Sequence, residues 1–307
     1  MKRSFLALGL LSLLFACKKT NDDDNNGNGN TPAGPALNAA DVQRDYAAGK
    51  TTYYYTVSGN GGGVLSVPGA GTGGNWNFAA LNAGAADADT VVLAAANGAF
   101  PNSTYSSVTT RTYGGGGSTQ DISLHSFGEV SASGWRQVGR SLPAFTLAYP
   151  GVGTLTYAAQ NALFAPAALP LTPPFPVHLN DSVNFNTAVT ENATADAPGA
   201  GLSNAPTAQR TTYSGKAKAI ATGSISLPGY AAPMNAMVIR RDLTTVDNYF
   251  LNGAPASPLL LGALGLTDGE TYSATYYDFY NYGGVGYLGS IVVQGGSIAY
   301  GRFRKAN

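Results

Sequence analysis

The sequence predicts an all-β body, built as an antiparallel β sandwich or as two adjacent β-sandwich-like domains. Three observations point there. Short runs rich in Tyr, Thr, Val and Ile recur along the chain, and β-branched and aromatic side chains suit a pleated, half-buried surface. Forty glycines and 17 prolines, without collagen-like periodicity, fall mostly between those runs, where they close turns. The connections are also too short for the helical crossovers that a doubly wound parallel sheet requires. A hydrophobic content of 44% supplies a core, and with Cys17 the only cysteine the body must be held by packing rather than by internal disulfides.

The chain opens on Met1-Lys2-Arg3, continues through an apolar run over residues 5–16, and reaches Cys17. A basic start followed by a short apolar run is the layout of a secretory signal, assigned here to residues 1–16. The run is too short to cross a hydrocarbon layer of roughly 30 Å as a helix, and Lys18-Lys19 follows at once. Leu14-Phe15-Ala16-Cys17 resembles the lipobox of bacterial lipoproteins, in which the cysteine is acylated and becomes the new N-terminus; Phe15 departs from the small residue usual at its position. The resemblance implies lipidation of Cys17 and membrane attachment through palmitate-type acyl chains, several of which hold far better than one. The other reading is a free cysteine in an ordinary signal peptide, and both export the body.

Residues 17–40 contain Asp22-Asp23-Asp24, several Asn and Gly, Pro32 and Pro35, and almost nothing that could enter a core, so they read as a tether. Cys17 followed by Lys18-Lys19-Thr20-Asn21-Asp22-Asp23-Asp24 resembles the N-termini of lipoproteins from the Bacteroidetes, where an acidic stretch behind the cysteine accompanies transfer to the cell surface. That resemblance implies a cell outer-membrane location, surface-exposed or facing the periplasm. A solvated tether without a receptor is the other reading of the Asp triplet. Seventeen basic against 17 acidic residues gives a nearly neutral chain, which offers nucleic acid little attraction.

The body divides into an N-terminal β domain or subdomain, residues 41–175, and a C-terminal one, residues 176–307. Residues 41–50 suit a helical turn or two. Strands are predicted over 51–58, 64–67, 91–96, 106–113, 122–130 and 135–138, separated by Gly-rich or polar turns. Pro166, Pro170, Pro173 and Pro174 forbid long regular elements between residues 143 and 176. Residues 191–209, rich in Ala, Asn, Gly and Pro, read as a long loop. Further strands are predicted over 213–227, 236–246, 271–281, 289–293 and 297–303. Thr51-Thr52-Tyr53 and Leu65-Ser66-Val67-Pro68-Gly69 recur at one common offset as Thr211-Thr212-Tyr213 and Ile225-Ser226-Leu227-Pro228-Gly229, through duplication or through coincidence of low-information turns. Gly74-Asn75-Trp76-Asn77-Phe78, Met237-Val238-Ile239-Arg240-Arg241 and Tyr276-Tyr277-Asp278-Phe279-Tyr280 loosely resemble secreted Bacteroidetes proteins of undetermined role; the likeness implies a β-rich body and transfers no catalytic residue.

Few residues form a chemical constellation. Gly69 to Gly74 and Gly284 to Gly289 match GxGxxG, but neither opens a helix after a parallel strand, so both read as hairpin loops. His125 and His178 belong to no metal motif, and no cofactor is implied. Asp181, Glu191 and Asp196, or Asp268, Glu270 and Asp278, would gather a cation or act as paired carboxylates only if the fold converged them. In a strand Tyr272, Tyr276 and Tyr280 share one side, with Tyr276 and Tyr280 roughly 13 Å apart, so these two are the expected contacts for a glycan or an extended protein segment; cross-strand packing is the plainer reading. Asp89-Thr90-Val91 and Asp181-Ser182-Val183 resemble the O-glycosylation acceptor of Bacteroidetes, which implies Thr90 and Ser182 as modified hydroxyls.

The expectation is therefore an exported cell-envelope or cell-surface lipoprotein with a non-enzymatic structural or recognition role. The competing reading is an exported carboxylate-dependent glycoside hydrolase using Asp278 and Glu270.

Overall fold

Alternating burial along the strands creates two sheets that share a core. The computed structural model describes residues 34–46, 49–81, 86–92, 98–115 and 118–306. Cys17, the signal segment and the tether to residue 33 lie outside the described residues. The elements begin with helix α1 (Ala39–Gln43), β1 (Thr51–Ser58), β2 (Gly71–Asn77), β3 (Ala86–Val92), β4 (Tyr105–Gly115), β5 (Ser118–Ser131) and β6 (Gly134–Leu142). Four short strands follow in the proline-rich stretch: β7 (Phe145–Tyr149), β8 (Gly153–Tyr157), β9 (Gln160–Leu163) and β10 (Leu169–Pro170). Long strands β11 (Ser182–Ala197), β12 (Leu202–Ser226) and β13 (Met234–Leu251) come next, then β14 (Ala254–Pro255), helix α2 (Pro258–Ala263), β15 (Glu270–Asn281), β16 (Gly286–Gln294) and β17 (Ser297–Arg304). The body is all-β, as the sequence predicts, and no helix among the described residues is long and apolar enough to cross a membrane.

The larger sheet runs β7–β8–β11–β12–β13–β15–β16–β17–β1–β3 through antiparallel neighbours. The smaller runs β4–β5–β6–β9, with β10 also on β6. Strand β3 joins them: its first part pairs with β1, and Val91 and Val92 pass to β4. Pairing crosses position 175/176 in β1–β17, β2–β12 and β8–β11, so the larger sheet draws on both halves of the sequence, whereas the smaller comes from the first alone.

Both faces of the larger sheet are covered where β13, β15 and β16 meet. On one face Trp76, Phe78, Ile225, Phe279 and Phe303 form an aromatic cluster, with the Trp76 and Phe78 rings edge-on to Phe279 at 5.4 and 5.8 Å. On the other, Met237, Ile239 and Tyr280 pack with Tyr105 and Val130 of the smaller sheet and with Leu37 and Val42 at α1. Helix α1 is tied there by its acids: Asp41 accepts from Gly283 N at 3.0 Å, and Asp45 accepts from Tyr287 N at 2.9 Å and from Arg304 Nη1 at 2.6 Å. Gly286 must be glycine at this junction, because its φ is +81° and a Cβ would sit 2.4 Å from Asp45 Oδ2.

Three expectations are corrected. Residues 64–67 form no strand, since Asn60 O accepts from the Gly63 and Leu65 amides and spends that backbone on a turn that plugs Leu65 into the core. The Gly69–Gly74 stretch is not a hairpin loop: Gly71 onward forms β2, parallel to β12, with Gly223 allowing the contact because a Cβ there would lie 2.0 Å from Gly74 O. Residues 191–209 are not a loop but the two arms of the β11–β12 hairpin, turned at Pro198–Ala200. Ladder hydrogen bonds to β8 and β13 hold those arms extended despite weak side-chain propensity. The repeated Thr-Thr-Tyr and Pro-Gly segments also occupy unlike elements: Thr51 begins β1 while Thr211 lies inside β12.

Candidate functional site

A cavity of about 250 Å3 opens where the far ends of β4, β7, β8 and the β11–β13 ribbon meet the segment carrying α2. Pro258 starts α2 and Ser257 caps it, its hydroxyl accepting from Leu260 N at 3.3 Å. The amphipathic spacing then turns Leu261 and Leu264 inward as one wall, while Leu259 stands almost fully exposed. Leu147 and Leu155 of β7 and β8 form the facing wall, together with Tyr149 and Tyr157. Tyr249, Asp247 and Gln209 contribute from β13 and β12, and Glu270 from the start of β15. Apolar walls with a few convergent polar groups are the usual make-up of a small-molecule site.

Arg111 and Tyr113 of the lining both reach Glu191 of β11, which is only 1% exposed. Its Oε1 accepts from Arg140 Nε and from the Tyr113 hydroxyl at 3.1 Å, and lies 3.5 Å from Arg111 Nη1. Oε2 is buried and has no hydrogen-bond partner among the described residues. Two guanidinium groups therefore share one carboxylate. Arg111 lines the cavity, stands 5.0 Å from the Tyr113 ring, and its buried Nη1 has no hydrogen-bond partner among the described residues. Burial, then the Glu191 charge, pushes the Tyr113 phenol up to about 12, and burial with Asp247 pushes Tyr249 up to about 12, so both remain hydrogen-bond donors at neutral pH.

No protein-family model, curated protein or solved structure matches this chain. The site's chemistry thus rests on its own residues.

The predicted tyrosine pair is separated by the fold. Tyr280 is 0% exposed, with Trp135 edge-on at 6.0 Å and Tyr287 at 5.5 Å, so it is a core residue and not a ligand contact. Tyr276 is half-buried, with the Arg241 guanidinium 4.6 Å above its ring. Tyr272, on the same side, is 53% exposed. The shared face is real, but the smaller sheet and α1 cover the end holding Tyr280, a fact that spacing along one strand does not carry.

The acidic sets do not converge. Asp278 is 1% exposed and grips Arg241 through two contacts of 2.5 and 3.3 Å, while Glu270 lies exposed at the other end of the same strand. Eight residues of strand place their backbones roughly 26 Å apart, against the roughly 5–9.5 Å between the paired carboxyls of glycoside hydrolases. As a catalytic pair Asp278 and Glu270 are corrected. Asp181 accepts from His178 N at 2.9 Å in a turn, Glu191 is in the buried network and Asp196 is exposed near the strand end. Asp268 accepts from Tyr249 N at 2.8 Å, closing a turn. His125 is exposed on β5, and His178 Nδ1 stands 3.6 Å from Asp181. Ser182 is exposed at the start of β11, whereas Thr90 lies in β3, opposite Thr51, with its side chain outside the description.

Arg111, Tyr113 and Tyr249 escaped the sequence reading because β4 and β13 are far apart in the chain. The available signal was a lone arginine inside the strand Ser106-Ser107-Val108-Thr109-Thr110-Arg111, where a buried charge must find a partner.

Proposed function

We propose that this chain is an exported lipoprotein, attached through acylated Cys17 to the outer membrane and displayed at the cell surface, whose β body works by recognition. The cavity beside Arg111 carries the recognition reading, because it joins apolar walls to polar groups in one pocket. The anchor rests on the Leu14-Phe15-Ala16-Cys17 sequence, and the surface placement on the acidic run behind it. Ser182, exposed on the body, is proposed as an O-glycosylation site.

Globomycin should cause retention of the signal segment. Labelled palmitate should enter the wild-type product and not Cys17→Ala, and protease applied to intact cells should release the body. A wild type that takes up no palmitate removes the anchor, and complete protection until the outer membrane is opened places the body on the periplasmic side. Mass spectrometry of the released body should show a glycan lost in Ser182→Ala; an unmodified Ser182 ends that assignment.

The cavity is tested separately by ligand-observed NMR on the full chain in lipid nanodiscs with aliphatic and aromatic fragments. Ala256, half-buried at the lining, is replaced by Trp to fill the space. Fragments should bind the wild type and not Ala256→Trp; equal binding to both, or none to either, rejects the cavity as the recognition site.

A further inference from the structure

The cavity is chemically polarised. Leu147, Leu155, Leu260, Leu261, Leu264 and Leu266 give it an apolar interior that favours a hydrocarbon or aromatic group over water. At the β4 end Arg111 lines the cavity 3.5 Å from Glu191, whose carboxylate is also bonded by Arg140. Arg140 is 6% exposed, and its Nη2 and the Nη1 of Arg111 are buried without a hydrogen-bond partner among the described residues. A guanidinium nitrogen held at a cavity wall without a hydrogen bond is an unused donor, suited to a carboxylate oxygen. Protonated Tyr113 and Tyr249 add phenolic groups to the same lining.

Two acids also line the cavity. Asp247 and Glu270 stand directly across from each other on β13 and β15, and Asp247 Oδ1 already accepts from the Thr211 hydroxyl at 2.5 Å. Among the described lining residues Arg111 is thus the one cationic contact open to an anionic group. The segment Ser257 to Leu266 lies over the apolar part as a roof on short Gly-containing connections, with Asn252, Gly253 and Gly265 all at positive φ.

We propose that the cavity binds a small amphiphilic monocarboxylate, its apolar chain or ring among the leucines and its carboxylate on the Arg111 guanidinium. This rests on the cavity being the recognition site, and it adds the charge and polarity of the ligand. No bond is made or broken: the role is capture.

The test is calorimetric titration of the full chain in lipid nanodiscs, with empty nanodiscs as blank, using octanoate, octanamide and octylamine as probes of one chain length and three head groups. Octanoate should bind at least about tenfold more tightly than octanamide, as a charge-assisted pair on a desolvated guanidinium warrants. Arg111→Gln should reduce octanoate to the level of the amide, Arg111→Lys should keep part of the preference, and Ala256→Trp should abolish binding of all probes. Thermal unfolding of each variant shows whether it is folded, and Arg111→Lys keeps the charge on Glu191 balanced should Arg111→Gln fail to fold. Equal affinity for the three probes, a preference for octylamine, or an octanoate affinity indifferent to both Arg111 variants overturns the anionic-head assignment while the cavity reading stands. Binding that survives Ala256→Trp places the probe elsewhere and overturns both.

Discussion

Asp278→Ala is expected to destabilise the body by about 3–5 kcal/mol, because it leaves the largely buried Arg241 guanidinium without its counter-charge. Asp278 is 1% exposed and Arg241 side-chain exposure is 16%, and the carboxylate takes both Arg241 contacts. Burial and the neighbouring carboxylate act on the same shared face, where the Tyr280 and Tyr287 phenols are raised well above their ordinary range by burial first and by the Asp278 charge second. Removing the pair together should cost much less than removing one member: a double variant, Arg241→Met with Asp278→Leu, is expected to recover most of the loss, since apolar replacement of a buried ion pair is often neutral or better. Denaturant unfolding with unchanged m-values measures all three free energies. A single-variant loss under about 1 kcal/mol, or a double variant as weak as Asp278→Ala, would show that water reaches this pair and that the charges are not buried as described.

Tyr280→Ala should cost about 3–5 kcal/mol, the range for deleting a large buried aromatic ring. Tyr276→Ala should cost no more than about 1.5 kcal/mol, for a half-exposed ring whose main specific contact is the Arg241 cation–π pair. The two residues share a strand and a face, so the contrast isolates what the smaller sheet and α1 contribute: Tyr105, Val130, Trp135 and Val42 pack in the cluster that holds Tyr280, while Tyr272 is 53% exposed and Tyr276 only half-buried. Equal losses would mean that the covering layer is not packed as described.

Strand identity was legible wherever side chains alone dictate it. The runs that became β1, β4, β5, β13, β15, β16 and β17 carry β-branched and aromatic residues between glycine turns, and a pleated backbone is the conformation that lets such side chains pack. The proline-rich middle was equally plain, because proline denies the ladder a donor and only the short β7 to β10 form there. Between residues 191 and 209 the chain misleads: Ala, Asn, Gly and Pro there have little strand preference, and these ends of β11 and β12 exist because β8 and β13 supply partners for their backbone. The same limit explains β2, a glycine-rich stretch made into a strand by a close parallel approach to Gly223 that only glycine permits.

By itself, then, the sequence determined the class of structure, because β propensity and turn chemistry are local properties readable along the chain; the proposed anchor at Cys17 rests on local residues of the same kind. The tertiary structure alone decided which polar groups meet. Arg111, Arg140 and Glu191 come from three strands, Tyr249 and the leucines of the cavity from others, and a strand's period of two says which side a residue takes but not what is packed against that side. Tyr276 and Tyr280 share a face by sequence; one is covered and the other half-open only because a second sheet and a short helix end between them.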